Sequence, residues 1–416
     1  MRKPPEDVFR RAGAIPLVSQ VASPEFASPD TVIAIPVRNE AERIAACLRA
    51  IAGQEGVAPG RLGLVLFLNN CTDATAAIVE GLVEEIPFPV RVIEREFTGA
   101  HAGWARRAAM DTAAVWIETG AGEGLILTTD ADSRVPPDWV AANLRAVAAG
   151  ADAVAGRVEL IPEEAALLPP SLPARGKLED AYDALITEAE ARIDPDPSDP
   201  WPCHRTTIGA SLSVTVAAYR AVGGMPEIPL GEDGAFVAKL LAHGFRVRHA
   251  RDVMVLISAR LSGRAAGGVA DTIRSRCEEP DALCDARMEA FPRAVSRYLW
   301  RRRLRRLHEA GRLGRDLGWA RRLGIAPEEA QRIAALPQPG MAIAAAEIAS
   351  PRLPYRPLGP RELPGQIRLG RLMLVPIRVA TWLRDRGSRA AEARRSGART
   401  AGSWPQAPSP AGKPEG

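Results

Sequence analysis

Short apolar runs alternate with helical patterns along the first half of the chain. Residues 31–35 (Thr-Val-Ile-Ala-Ile) are continuously apolar, as expected of a strand covered on both faces. After Pro36-Val-Arg-Asn-Glu40, Ile44, Leu48 and Ile51 recur at helical spacing. Residues 62–68 predict a second strand, and Ile78, Val79, Leu82, Val83 and Ile86 a second helix. Residues 90–93 predict a third strand, and 103–116 a third helix. Residues 124–129 predict a fourth strand, leading into Asp130-Ala-Asp132, with Pro136-Pro137 opening the next helix and 152–158 a fifth strand. Residues two apart on a strand share a face, so the pattern places Asp130 and Asp132 side by side with a small Ala131 between them.

Four strand–helix units in succession predict an α/β protein with a parallel, doubly wound sheet. Right-handed crossovers then gather the loops that follow the strands at one sheet edge, where such sheets bind ligands. The chemically distinctive residues fall in those loops: Arg38, Asn39 and Glu40; Asn69, Asn70, Thr72 and Asp73; Asp130 to Asp132. Two converging carboxylates suit a divalent cation and a phosphate-bearing ligand. The competing reading is that Thr72 and Asp73 only cap the helix after them.

The remainder is less regular. Residues 160–205 carry Pro-rich pieces around a helical stretch at 177–192, and 194–200 reads as a loop. Residues 209–214 resume strand character, Gly223-Gly224 ends a short helix, and Gly231-Glu-Asp233 opens a helix carrying Phe236, Val237, Leu240 and Leu241. Residues 245–257 predict one or two more strands. Beyond about 271 the pattern is helical and basic: Trp300, Leu304 and Leu307 share one face among Arg301, Arg302, Arg303, Arg305 and Arg306, and 367–384 contains no acid. Residues 1–29 read as a leader, and 385–416, poor in large apolar residues, as a disordered tail.

Composition narrows the class. The 416 residues allow one large domain with an appendage, and a net charge of only +4 gives no overall case for nucleic acid. Five Cys without a C-x-x-C pair argue against a disulfide framework or zinc site and for a reducing compartment. The start lacks a signal-peptide apolar core, and no window offers the roughly 18 apolar residues of a membrane span.

Six segments, in order, resemble family 2 glycosyltransferases of the GT-A fold over residues 30–260. They are Ile33-Ala-Ile-Pro-Val-Arg-Asn-Glu40, Leu68-Asn-Asn-Cys-Thr-Asp-Ala-Thr75, Gly103-Trp-Ala-Arg-Arg107, Thr129-Asp-Ala-Asp132, Gly209-Ala-Ser-Leu-Ser213 with Val222-Gly-Gly224, and Gly231-Glu-Asp233. Two depart from the family's form. The first lacks an aromatic before Asn39-Glu40, and the second has Asn69-Asn70 where Asp is usual, which alters the base contact because an amide both donates and accepts.

The resemblance implies a Rossmann-like GT-A domain at 30–270, followed by a basic helical extension at 271–384. It implies that Asp130 and Asp132 hold Mg²⁺ or Mn²⁺ against the diphosphate of a nucleotide sugar. Asp233, with Glu232 beside it, would be the base of an inverting transfer. Pro36, Arg38, Asn39, Glu40, Asn69, Asn70, Asp73, Asp130 and Ala131 would line the donor site, together with Arg106 or Arg107. No His stands where a third metal ligand is expected. Arg260 and Arg264 in the Gly-rich segment 258–268 are expected to clamp the diphosphate instead. His101 and His204 are further candidate contacts. The expected enzyme is cytoplasmic, at or near the inner face of a membrane, and acts on a small or lipid-linked acceptor. The Arg-rich C-terminal helices are candidates for peripheral membrane contact, against the plainer reading of a solvated face. A nucleotidyltransferase and a non-catalytic nucleotide-sugar-binding protein are the competing functions. The first is disfavoured because Val37-Arg-Asn-Glu40 stands where a Gly-rich basic loop belongs.

Overall fold

A computed structural model describes residues 20–21, 29–99, 101–120, 122–264 and 267–400. The expected leader at 1–29 therefore lies almost wholly outside the described residues, as do 401–416 of the tail expected at 385–416. Among the described residues eight strands form one sheet: β1 Gln20–Val21, β2 Thr31–Val37, β3 Leu62–Asn69, β4 Val90–Arg95, β5 Leu125–Thr128, β6 Ala153–Leu160, β7 Leu212–Thr215 and β8 Val247–Ile257. Their order is β1-β4-β3-β2-β5-β7-β6-β8. Strands β4, β3, β2 and β5 run parallel, as the strand–helix alternation requires. β7 is antiparallel to both neighbours and β1 to β4, so the sheet is mostly rather than wholly parallel.

Side-chain alternation along each strand divides the core in two. Ile33, Ile35, Leu64, Leu66 and Leu127 face the helices Ile44–Ala52, Thr75–Leu82 and Trp139–Ala148. Val32, Ala34, Val65 and Ile126 face Ala102–Thr119, Val216–Ala221 and Glu232–Ala242. Both faces are covered, which is why these strands read as unbroken apolar runs. This is the GT-A-like α/β layering expected from the sequence.

The chain goes one way from β2 through β3 to β4, then returns to place β5 on the other side of β2. That reversal makes the carboxyl ends of β2 and β5 the topological switch point, where ligands bind in open α/β sheets. β5 ends at Thr128, level with Ala34, while β2 continues to Val37. The shortfall leaves room for a turn after β5.

The helical extension differs in three respects from expectation. The helix expected at 177–192 runs from Ser171 to Ile193 and packs Tyr182, Ile186 and Ala189 against Phe291, Tyr298 and Ile367 of the extension. Of the arginines expected on a solvated face of Phe291–Glu309, Arg301 and Arg305 are used internally, as is Arg297 a turn earlier. Arg301 meets Glu190 and Glu347, Arg305 meets Asp194, and Arg297 meets Glu289. Burial alone would raise the Glu190 carboxyl, but Arg205, Arg301 and Arg287 hold it down at about 2. Finally, the helix Leu363–Thr400 continues through 385–400, where a disordered tail is expected, because Ala and Arg are strong helix formers even without apolar neighbours. Among the described residues no helix is long and apolar enough to cross a membrane.

Candidate active site

The two carboxylates meet through a turn, not through strand alternation. Ser133 N–H donates to the Asp130 carbonyl (3.1 Å) just beyond β5, and this turn brings Asp130 and Asp132 out at the switch point. Asp132 is the more buried of the two. Its pKa is pushed up to about 6, first by burial and then by the charge of Asp130, against the pull of Arg260. Glu40 lies across the switch point at the end of the β2 loop, and burial raises its pKa as well. Arg260 bridges the two sides, with Nη1 2.8 Å from both oxygens of Glu40 and Nη2 3.0 Å from Oδ2 of Asp132.

Arg106 is the second bridge. Its buried guanidinium donates to Oδ1 of Asp130 (2.7 Å), Oγ1 of Thr128 (3.1 Å), the Gly209 carbonyl (3.0 Å) and Oε1 of Glu232 (3.3 Å). A Cβ at Gly209 would lie 2.5 Å from the guanidinium carbon, so any other residue there would push Arg106 out of this position. Burial would weaken the charge, yet Asp130 and Glu232 hold Arg106 protonated well above the ordinary range. Gly209 also donates its N–H to Oδ2 of Asp233 (2.8 Å), and Gly234 N–H donates to Oδ1 (2.7 Å). Gly231, in the left-handed region at φ 75°, turns the chain into this helix. The structure therefore links Asp130, Glu232 and Asp233 through a single arginine and a single glycine.

The other expected site residues divide. Arg38 is exposed at the strand-end edge beside the partly buried Pro36, and Ala131 is buried in the turn. Asn39, left-handed at φ 52°, accepts the Thr72 N–H on its side chain (2.7 Å) and offers its carbonyl to Arg264 Nε (3.0 Å). Asn69 is buried, with an amide oxygen that has no hydrogen-bond partner among the described residues. Asn70 is spent on the backbone of Phe97, accepting its N–H and donating to its carbonyl, both at 2.8 Å. Asp73 accepts from the Thr75 N–H (3.0 Å) and the Ala41 N–H (3.3 Å), so it locks two loops together. The N-cap position of the helix itself is Ala74, which carries no side-chain cap, so Asp73 braces the loop just ahead of it.

Of the paired arginines, Arg106 enters the site, whereas Arg107 donates to the Met225 carbonyl and pairs with Asp111 and Glu227. His101 caps the helix Ala102–Thr119 by accepting the Trp104 N–H. His204 is buried between the Ala250 carbonyl and the Thr206 N–H, and burial pushes its pKa down to about 3. Both histidines are occupied by the protein's own backbone. Sequence reasoning missed Thr128, gave Gly209 only as part of a motif, and named Glu40 and Arg260 without pairing them, because the partners are remote in the chain.

Asp130 and Asp132 are the residues that could hold Mg²⁺ or Mn²⁺. Glu40, Asp130 and Asp132 bring three carboxylates together, and burial first, then the charge of Asp130, raises Asp132 against the pull of Arg260. Each arginine meets Asp130 or Asp132 through one oxygen, and a carboxylate has two. Among the described residues no group of three His, Cys, Asp or Glu could hold a metal alone. Two carboxylates still suffice for Mg²⁺ when substrate phosphates and waters complete its shell.

One stability prediction follows from Asp132. Its folded pKa lies above the ordinary carboxyl value, so its charge opposes folding. The penalty is absent where Asp132 is protonated in both states and grows as pH rises through about 6. Asp132→Asn should therefore raise the Tm of metal-free protein at about pH 7.5 and leave it nearly unchanged at about pH 4. Paired melts measure this, and equal shifts at both pH values would contradict it.

A family model, Glycosyl transferase family 2, matches residues 32–192. No curated protein matches the chain. Among solved structures, S. aureus TarS 1–349 in complex with UDP-GlcNAc is 15% identical at a TM-score of 0.43, covering 77% of this chain and 81% of that one. The mannosyltransferase PcManGT from Pyrobaculum calidifontis, in complex with GDP-Man and Mn²⁺, is 17% identical at a TM-score of 0.40, covering 86% and 84%. The chain spans 43% of a longer TarS structure, at 15% identity and a TM-score of 0.39. At that distance neither protein lends its substrate to this one. Residues 32–192, which supply the strand-end loops of β2, β3 and β5 gathered at the switch point, are thus the part of the chain that matches the family 2 glycosyltransferase model.

Proposed function

We propose that the enzyme transfers a sugar from a nucleoside-diphosphate sugar to a hydroxyl of a small or lipid-linked acceptor, by direct displacement with inversion. The observation that carries this reading is the Arg106 linkage, which joins Asp130 of the cation pair to the helix start bearing Asp233. A leaving-group anchor and a base held on one rigid frame are what a single in-line displacement needs.

Asp130 and Asp132 would hold Mg²⁺ or Mn²⁺. When bound, the ion would neutralise the diphosphate and make it a better leaving group. Arg264, half exposed beside Glu40, and Arg260 supply forked donors to the phosphate oxygens. Asp233 takes the acceptor hydroxyl proton as that oxygen attacks the anomeric carbon and the bond to the diphosphate breaks. Its two backbone N–H bonds fix the carboxylate's direction, and each oxygen retains a further lone pair for the proton. The five cysteines are all free, in keeping with the cytoplasmic reading.

A panel of UDP- and GDP-sugars tested with Mn²⁺ by thermal shift and by transfer or hydrolysis checks the reading. Metal-dependent turnover supports it. Tight binding without turnover would favour a non-catalytic binding protein, and pyrophosphate exchange a nucleotidyltransferase. Arg264→Ala should raise the donor KM about tenfold or more, the scale of losing a charge-assisted hydrogen bond. An unchanged KM would remove Arg264 from the diphosphate.

A further inference from the structure

The helix Leu363–Thr400 has an inner face that the extension covers and an outer face that it does not. Leu363, Ile367 and Leu374 are buried, and Gly370 lies against the Phe291 ring. On the opposite side Leu372, Val375, Val379, Trp382 and Leu383 are 71%, 55%, 52%, 54% and 58% exposed. At helical spacing these five form one continuous stripe. It is about 16 Å long at the ~1.5 Å rise per residue of a helix. Arg368 precedes the stripe by one turn and Arg386 follows it by one turn, both exposed and on the same side. The Arg386 guanidinium sits 4.5 Å above the Trp382 ring. No Asp or Glu occurs from residue 363 to 384.

The charges select the occupant. Pairing the stripe with a second copy in parallel sets Arg368 against Arg368. Antiparallel pairing about the midpoint sets Arg368 against Arg386. Either arrangement opposes like charges at both ends. A span across the bilayer is ruled out for this helix by its polarity, since among the described residues no helix is long and apolar enough to cross. An anionic membrane surface satisfies every part: acyl chains below the headgroups for the apolar residues, the interface for Trp382, and phosphates for the arginines. We propose that the outer face of Leu363–Thr400 lies in the surface of an anionic membrane, held by Leu372, Val375, Val379, Trp382 and Leu383 between Arg368 and Arg386. In the Arg-rich helix Phe291–Glu309, Arg297, Arg301 and Arg305 are committed to internal carboxylates and take no part in this contact. The proposal stands independently of the donor chemistry.

Flotation of the full chain with vesicles tests it. The wild type should float with vesicles of phosphatidylcholine and phosphatidylglycerol, less so at high salt, and stay unbound with phosphatidylcholine alone. The double variant Trp382→Ser, Leu383→Ser should partition about tenfold more weakly or worse. The double variant Arg368→Glu, Arg386→Glu should lose the preference for anionic lipid. Both should melt like the wild type, because the substituted side chains face outward. Failure of the wild type to float, or undiminished binding by both variants, overturns the proposal. So does a concentration-dependent dimer abolished by Trp382→Ser, Leu383→Ser, which would show that a second copy covers the stripe.

Discussion

Asp233→Asn is expected to lower kcat by about 10²–10⁴-fold, the usual contribution of a positioned general base. Donor and metal binding should change little. The substitution is isosteric and removes the ability to take a proton. It also converts one acceptor oxygen into an NH₂ that faces either the Gly209 or the Gly234 N–H. One of those hydrogen bonds is lost, at a cost of about 1 kcal/mol, so melts must accompany the kinetics. The neighbouring Glu232 provides the control. It is buried and turned toward Arg106, and consecutive helix positions point about 100° apart, so it cannot share the outward role. Glu232→Gln should therefore act mainly on stability. If Asp233→Asn retained turnover within about threefold of wild type, the base would have to be sought elsewhere.

The second large effect is expected at Arg106. Arg106→Leu leaves Glu232 buried without its cation and deprives Asp130, Thr128 and the Gly209 carbonyl of a donor. Removing one partner of a buried ion pair costs on the order of 3–5 kcal/mol. Asp130 is partly exposed and contributes the smaller share, because water can replace the lost contact. A Tm lower by several degrees should accompany loss of turnover. Arg106→Lys separates frame from charge. An ammonium keeps the charge but cannot reach four acceptors as a planar fork does. It should recover part of the stability while kcat stays low and donor affinity recovers. Wild-type melting of Arg106→Leu would show that the four contacts do not act as a frame.

Both residues illustrate what the sequence displayed and what it concealed. The strands were legible because burial on both faces leaves a continuous apolar run, as in β2 and β3. Asp130 and Asp132 were legible as a pair, although a turn rather than strand alternation brings them together. Asn70 and Asp73 stood beside them in the pattern, yet their side chains satisfy the backbone of Phe97, Thr75 and Ala41. A polar residue in a loop looks alike whether it serves a ligand or its own chain. The Arg106–Glu232 contact spans 126 residues, and no local pattern can signal a contact of that range. Arg301 and Arg305 looked solvated for the same reason: Glu190 and Asp194, which they meet, belong to a segment more than a hundred residues earlier.

By itself the sequence determined which residues are buried, where the elements lie, and that carboxylates and arginines cluster in the loops after the strands. Side-chain periodicity carries that information, because each position answers to its own near neighbours. Only the tertiary structure decided which strands stand side by side. It put β5 against β2, turned β7 antiparallel, and set Glu40 opposite Asp132 and Asp130 within reach of the helix that bears Asp233. Strand order is fixed by the packing of whole helices on both faces of the sheet, and periodicity along a single strand is the same whatever lies beside it.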